Sequence, residues 1–261
     1  MKHVKDGHVR PVICLDAGHD GKYNRSPAVP EYYESEMNWK LHLLLKQELA
    51  TYNIEVKTTR SSLNQEMGVY QRGTASQGCD LLLSIHSNAV GSQVDETVDR
   101  VMVYVPLDGS GDEIGQMFVD RISQVMETRQ TGRIATREGN SGDYYGIIRG
   151  ATDVGTTGLI LEHSFHTNTR STRWLMEKAN LARLAKAEAA LLAEYFEVSE
   201  MVPTPVPNTP PNTPAKEEPS EGDILYRVQT GAYRIKENAQ AQLDRIQDAG
   251  FDAYITSRPK E

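Results

Sequence analysis

The chain has 261 residues, a net charge of −8 and 38 % hydrophobic residues. This apolar content is sufficient for a folded core and excludes a wholly disordered chain. The acidic balance argues against a general nucleic-acid binder, which needs a basic face. No run approaches the ~18 consecutive apolar residues of a membrane-spanning helix, so we expect no membrane insertion.

Strand and helix patterns alternate through residues 1–200, which we predict to form one α/β domain. The predicted strands lie at 12–16, 54–59, 80–88, 100–106, 145–150 and 158–164, and the predicted helices at 37–52, 116–128 and 171–196. Such alternation indicates a mostly parallel or mixed sheet with helices on both faces. In sheets of this kind the active site lies at the carboxyl ends of the strands.

A change in composition marks the end of this domain. Residues 201–222 contain seven of the twelve prolines and no aromatic residue. Such a segment favours extended polyproline II, so we interpret it as a semi-rigid linker. The tail that follows, residues 223–261, has a strand pattern at 226–230, a helix pattern at 236–248 and a second strand pattern at 251–255. We therefore predict a small βαβ segment after the linker.

Ionisable side chains occur where predicted strands end. His19 follows the first strand, His86 lies near the end of the third, and Glu162 follows the apolar run Leu-Ile-Leu. A fourth candidate, Glu34, opens the first long helix. Two histidines and one carboxylate form a familiar catalytic zinc set, and a further carboxylate can serve as general base. The pattern alone does not assign the two carboxylates to these roles.

Other interpretations of these residues stay open at this point. A histidine at a strand end is usually a polar surface residue without a special function. Glu34 is also suited to stabilise the dipole of the helix that it opens. A second metal motif, His163-Ser-Phe-His166, lacks the glutamate of the zinc-protease helix. The two cysteines, Cys14 and Cys79, cannot form a disulfide framework, and we expect two buried free thiols.

Five blocks in the chain resemble, in order, the zinc-dependent N-acetylmuramoyl-L-alanine amidases of the amidase-3 type. The blocks are VICLDAGHDG, YYESEMNWKL, TTR, LLLSIHSNA and LILEHSFHTN. The resemblance covers about residues 10–197. It implies a six-stranded mixed sheet flanked by helices, one bound zinc ion, and hydrolysis of the amide between N-acetylmuramic acid and L-alanine in peptidoglycan.

The resemblance also implies roles for individual residues. It makes His19, Glu34 and His86 the zinc ligands and Glu162 the catalytic acid and base. Two neighbouring carboxylates compete with Glu34, which we prefer because the residues after it begin the helix in the family register; they are Glu31 and Glu36.

Three further side chains are candidates for substrate contacts at the same mouth. They are Asn88, Arg149 and His163. For each of them, a hydrogen bond that stabilises a loop is the competing interpretation. We interpret Arg72 as the partner of a structural ion pair rather than as a substrate contact.

The tail resembles a SPOR domain in its Y-R-V-Q-x-G-A-Y opening and its A-G-F-x-A-Y-I close. This resemblance implies binding to peptidoglycan glycan strands. The family pattern repeats strand–helix–strand twice, whereas this chain carries it once, so the segment is of half length. Because so few residues bury little apolar area, we expect the tail to pair with a second copy, to dock elsewhere or to bind nothing.

The N-terminus contains no signal-peptide pattern, so we expect synthesis in the cytoplasm and action at the cell wall after the membrane is breached. In this respect the chain resembles phage or prophage endolysins. The alternative is a bacterial autolysin of mother-cell or cell-wall lysis with the same chemistry. A third hypothesis is a non-catalytic, zinc-stabilised wall-binding protein. Glu162 argues against it, because a protein that only binds the wall has no need of a catalytic acid.

Overall fold

The computed structural model describes residues 3–201 and, in the tail, residues 236, 239, 240, 242, 243, 246 and 254–256. The chain divides into two compact units, Met1–Thr204 and Pro205–Glu261. All strands and helices named below belong to the first unit. Apart from Met201, the predicted linker at 201–222 lies outside the described residues, as does the predicted strand at 226–230.

The first unit contains eight strands and six helices among its described residues. The strands are β1 Val12–Ala17, β2 Glu55–Thr58, β3 Leu81–Asn88, β4 Met102–Tyr104, β5 Arg133–Ala135, β6 Glu138–Gly139, β7 Gly142–Asp143 and β8 Thr157–Phe165. The helices are α1 Glu34–Leu49, α2 Val69–Thr74, α3 Asp112–Met126, α4 Gly146–Asp153, α5 Thr169–Met176 and α6 Lys178–Tyr195.

Six of the strands form one sheet in the order β2-β1-β3-β8-β4-β5. Strands β2, β1, β3 and β8 run parallel to one another. Strand β4 pairs antiparallel with β8 and parallel with β5. The prediction of a six-stranded, mixed and mostly parallel sheet is therefore confirmed. Strands β6 and β7 form a separate two-stranded ribbon.

Successive strand residues point to opposite sides of the sheet, so both faces carry apolar side chains. Helices cover both faces. Ile13 and Leu15 of β1 belong to the larger core, which also contains apolar residues of α1, α3, α5 and α6. Val12 and Cys14 belong to a smaller core with residues of α4. Cys14 and Cys79 are both buried free thiols in this second core, as predicted.

Two predicted elements differ in the structure. Residues 145–150, predicted as a strand, form the start of α4 instead. Ile147, Ile148 and Ala151 lie together in the smaller core, and their spacing suits one face of a helix better than one face of a strand. The long helix predicted over 171–196 is two helices, because Glu177 is extended (φ −77°, ψ 116°). Its first part is capped by the Asn168 side chain, which accepts from the Ser171 N–H.

The remaining differences are in position and in short elements. Helix α1 begins at Glu34, the residue expected to open it, three residues before the range 37–52 given by the helix pattern. The short elements α2, β5, β6 and β7 were not predicted. In the tail, every described residue between 236 and 246 is helical, in agreement with the predicted helix. Tyr254 and Ile255 lie outside regular secondary structure, where a strand was predicted. Within the described part of the chain, no helix is long and apolar enough to span a membrane.

A candidate metal centre at the carboxyl edge of the sheet

His19 lies in the turn that follows β1, at the edge where three parallel strands end. Its backbone is left-handed (φ 60°), which is uncommon for a residue with a side chain. Gly18 precedes it and donates its N–H to the Ile85 carbonyl at 3.0 Å. A Cβ at Gly18 would overlap the ring of His86. The glycine therefore lets the turn after β1 pass directly against the neighbouring histidine.

Glu34 begins α1, and its carboxylate joins the two histidines although the residue is only 2 % exposed. Oε1 lies 2.9 Å from His86 Nδ1 and accepts from the Ser87 N–H at 3.1 Å. Oε2 lies 3.3 Å from His19 Nε2 and accepts from the Asn24 amide at 2.6 Å. Burial acts to raise the pKa of Glu34, but the hydrogen bonds from His19 and His86 hold that pKa well below its usual range.

One donor atom from each of His19, Glu34 and His86 lies within 4.8 Å of the others. Two imidazoles and a carboxylate are the donor types of a catalytic zinc site that keeps one position open. The three residues therefore fit a zinc ion in both chemistry and spacing. The competing carboxylates do not join them, because Glu31 is exposed and Glu36 faces Lys22 at 4.0 Å.

Glu162 lies beside this cluster on β8, directly across from His86 in the sheet register. Its Oε2 is buried and has no hydrogen-bond partner among the described residues. Burial, with a further contribution from the charge of Glu34, raises the pKa of Glu162 well above its usual value. A carboxyl group without a structural partner beside a set of metal ligands is suited to move protons.

A buried polar network contacts the His86 ring and the backbone of the His19 turn. The Asp16 carboxylate accepts from Ser84 Oγ at 2.7 Å and lies 3.5 Å from Arg72 Nη1. Ser84 Oγ in turn lies 3.1 Å from His86 Nε2. Arg72 also donates to the His19 carbonyl at 3.3 Å. The interpretation of Arg72 as a structural ion-pair partner is confirmed.

Two of the predicted substrate contacts have local partners within the protein. The Asn88 side chain accepts from the Ala89 N–H at 2.8 Å, so it braces the turn after β3. Arg149 donates to the Asp143 carbonyl at 2.7 Å, and its guanidinium carbon lies 5.9 Å from the Tyr70 ring centre. These contacts match the competing interpretation of a stabilised loop, and a substrate role for either residue stays a prediction.

His163 does not face the mouth of the site. Its side chain is fully buried and lies on the opposite side of β8 from Glu162, because adjacent strand residues alternate. Its Nε2 lies 2.7 Å from Glu188 Oε1 on α6, and its Nδ1 lies 2.9 Å from the His86 carbonyl. The predicted exposure of His163 to substrate is therefore wrong.

The sequence patterns did not point to several residues that shape the cluster. They are Gly18, Asn24, Tyr32 and Ser87. Gly18 and Ser87 each stand next to a recognised histidine. The contacts that give these four residues their roles join segments far apart in the chain or cross a loop, and no local pattern describes such contacts.

Fold and site together define a class of protein: an α/β domain with a two-histidine, one-glutamate cluster at the carboxyl edge of a mixed sheet. Residues 13–194 match the family model described as N-acetylmuramoyl-L-alanine amidase, and residues 210–260 match the SPOR domain model. The chain belongs to the N-acetylmuramoyl-L-alanine amidase family and is an enzyme of peptidoglycan hydrolysis.

Individual relatives agree with this assignment. The chain is 26 % identical over 250 residues to the N-acetylmuramoyl-L-alanine amidase CwlM of Bacillus licheniformis, covering 94 % of this chain and 85 % of that protein. Its fold is similar to the catalytic domain of the amidase CwlV from Bacillus (Paenibacillus) polymyxa var. colistinus, with a TM-score of 0.61, 21 % identity, and coverage of 72 % and 99 %. It is also similar to Cwp6 from Clostridium difficile, with a TM-score of 0.63, 19 % identity, and coverage of 71 % and 29 %.

Proposed function

We propose that this amidase is zinc-dependent and that it hydrolyses the bond between the lactyl group of N-acetylmuramic acid and L-alanine of the stem peptide. The observation that carries the proposal is the convergence of His19, Glu34 and His86 beside Glu162. Family membership supports the choice of the bond.

Each residue has a distinct task in this proposal. His19, Glu34 and His86 hold the zinc ion. Bound zinc supplies Lewis-acid chemistry, since it polarises an amide carbonyl and makes water more acidic. The Glu162 carboxylate takes a proton from the attacking water and passes it to the leaving nitrogen as the C–N bond breaks and the C–O bond forms. The buried cysteines of the second core take no part as nucleophiles.

The metal assignment is tested by zinc content. We expect the purified full chain to retain one zinc ion, and a chelator to abolish wall lysis until zinc is added back. His86→Ala should lose zinc, whereas His42→Leu, which removes a buried histidine of α1 outside the cluster, should retain it. Full zinc occupancy in His86→Ala would show that the ligand set is wrong.

We further propose that residues 201–222 act as a spacer and that residues 223–261 bind glycan strands and can self-associate. The SPOR match supports this role for the tail, although it begins at residue 210, inside the proposed spacer. The biological role that we propose is lysis of the cell wall as a phage or prophage endolysin, with a bacterial autolysin as the alternative. A holin gene beside the coding sequence would support the first role, and neighbouring sporulation genes would support the second.

A further inference from the structure

The His163-Ser-Phe-His166 motif coincides with an irregularity in the sheet beside the metal centre. His86 pairs with Glu162 and Asn88 pairs with Phe165, so two residues of β8 oppose one residue of β3. This is the definition of a β-bulge, a feature that re-aims side chains. Ser164, inside the bulge, has a left-handed backbone (φ 59°) and is fully buried.

Both histidines of the motif contact consecutive backbone carbonyls of β3. His163 Nδ1 lies 2.9 Å from the carbonyl oxygen of His86, and His166 Nδ1 lies 2.9 Å from that of Ser87. A carbonyl oxygen only accepts hydrogen bonds, so each Nδ1 carries the proton. The bulge thus brings two imidazole donors onto the segment of β3 that carries the candidate ligand His86.

The far side of His163 is anchored to a helix in the core. Its Nε2 shares a 2.7 Å hydrogen bond with Glu188 of α6, and neither side chain is exposed. Buried ionisable pairs of this kind contribute little net stability compared with apolar residues of the same volume. The pair therefore needs an explanation other than stability, and its contact with His86 supplies one.

His166 connects the same segment to the loop that precedes Glu34. Its carbonyl accepts from Ser26 Oγ at 2.5 Å. Ser87 Oγ shares one hydrogen bond with His166 Nδ1 at 3.0 Å and another with the Tyr32 hydroxyl at 2.7 Å. The Ser87 N–H in turn donates to the Glu34 carboxylate. His166 is thus linked to Glu34 through Ser87.

We propose that His163 and His166 are positioning residues of the metal centre, which fix the backbone of His86 and Ser87 so that the His86 ring and the Glu34 carboxylate meet at one point. The inference rests on the proposed zinc site. Loss of a group that orients a metal ligand typically lowers metal affinity by about 10- to 100-fold.

The test separates positioning from simple stabilisation. His163→Leu combined with Glu188→Leu removes both buried polar groups together, so that neither is left unpaired. His166→Leu removes the second donor, while His166→Asn retains an amide donor near the position of Nδ1. His42→Leu is the matched control, because it also replaces a buried histidine, at a position outside the cluster.

The zinc dissociation constant of each full-length variant is measured by competition with a chromophoric chelator, and the unfolding midpoint is measured on the metal-free protein. We expect the double variant and His166→Leu to bind zinc about 10- to 100-fold more weakly, with metal-free midpoints close to that of the parent chain. His166→Asn should recover most of the affinity, and His42→Leu should bind as the parent does.

Unchanged zinc affinity in His166→Leu and in a folded double variant would overturn the inference. It would also be overturned if the metal-free proteins lost stability in proportion to the lost affinity, or if His166→Asn bound as weakly as His166→Leu. If the double variant does not fold, the two His166 variants decide the question. A parent chain that binds no zinc would overturn the proposed metal centre itself, and this inference with it.

Discussion

Glu34 is the residue on which the candidate metal centre depends most, because its two carboxylate oxygens contact different histidines. It is buried at the start of α1, where the positive end of the helix dipole favours a negative charge. The hydrogen bonds from His19 and His86 keep its pKa low, so it is ionised at neutral pH. The Glu34 carboxylate is therefore already charged before a metal ion binds, and binding requires no change in its protonation.

The role of Glu162 is tested by Glu162→Gln, which keeps the size and polarity of the side chain but removes the base. We expect wall-lytic activity to fall by about 100- to 10 000-fold, the usual worth of general acid–base catalysis. Zinc content and the unfolding midpoint should be unchanged. Glu36→Gln is the control, since Glu36 lies on the same helix as Glu34 but faces Lys22. Near-normal turnover of Glu162→Gln would refute the assignment.

The buried side chain of His42 is predicted to make the stability of the folded protein depend on pH. Burial in α1, with a smaller effect of Lys46, lowers the pKa of His42 to about 4. Between pH 6.5 and 4 the unfolded chain binds a proton at this residue while the folded chain does not. Stability is therefore lost as pH falls through this window, and a shift of this size corresponds to about 3 kcal/mol.

The measurement compares denaturant unfolding of the metal-free parent chain and of His42→Leu at several pH values. The parent should lose more stability than His42→Leu between pH 6.5 and pH 4, because the variant lacks the titrating ring. Equal losses in the two proteins would show that His42 does not resist protonation in the folded state.

The sequence resemblance was most informative at the residue scale. Its blocks identify the histidines and glutamates that the structure brings to one edge of the sheet. Local patterns could not reveal that His163 turns into the core, because its environment is created by Glu188, 25 residues along the chain, and by the bulge at Ser164. They also could not reveal the space that Gly18 leaves for His86.

At the scale of elements, the close contact of α2 and α4 supports the face of the sheet that carries His86 and Glu162. A Cβ at Gly150 would overlap the carbonyl oxygen of Tyr70, which belongs to the backbone of α2. The two helices therefore approach each other more closely than any larger residue allows at this position. Arg72, which contacts the His19 turn, lies on the same short helix.

Gly150→Ala should therefore destabilise the protein by about 1–3 kcal/mol, the usual cost of overpacking. It should also weaken zinc binding, because α2 must shift together with Arg72. The control is Gly68→Ala, where the nearest atom is the end of the flexible Gln71 side chain at 3.4 Å. Denaturant unfolding and zinc titration measure both effects. A Gly150→Ala protein as stable as Gly68→Ala would contradict this account of the helix contact.

Predictions of elements succeeded where burial and periodicity agreed. The central strands β1, β3 and β8 are nearly continuous apolar runs, as parallel strands buried on both faces should be. The prediction for α4 was wrong because a pair of β-branched isoleucines favours a strand, whereas packing against the sheet selects a helix. The break at Glu177 has no proline or glycine to mark it.

At the scale of the whole molecule, the amidase match and the first compact unit occupy nearly the same residues, 13–194 and Met1–Thr204. The core of this unit draws on the sheet and on α1, α3, α5 and α6. The proposed chemistry uses only residues of this unit. The tail is then expected to affect where the enzyme acts rather than the reaction itself.

A chain that ends at Thr204 tests this separation. It should fold, retain zinc and cleave a small soluble muropeptide at nearly the rate of the full chain. Its binding to insoluble walls, measured by sedimentation, should be weaker, because the SPOR segment is missing. Aggregation of the shortened chain, or loss of activity on the small substrate, would show that the tail belongs to the catalytic core.

The most direct test of the central claim is mass spectrometry of the products released from purified walls by the zinc-loaded full chain. The account predicts free stem peptides with an N-terminal L-alanine, glycan strands without new reducing ends, and no release by the chelated protein or by Glu162→Gln. New reducing ends, cuts within the stem peptide, or undiminished release after zinc removal would contradict it.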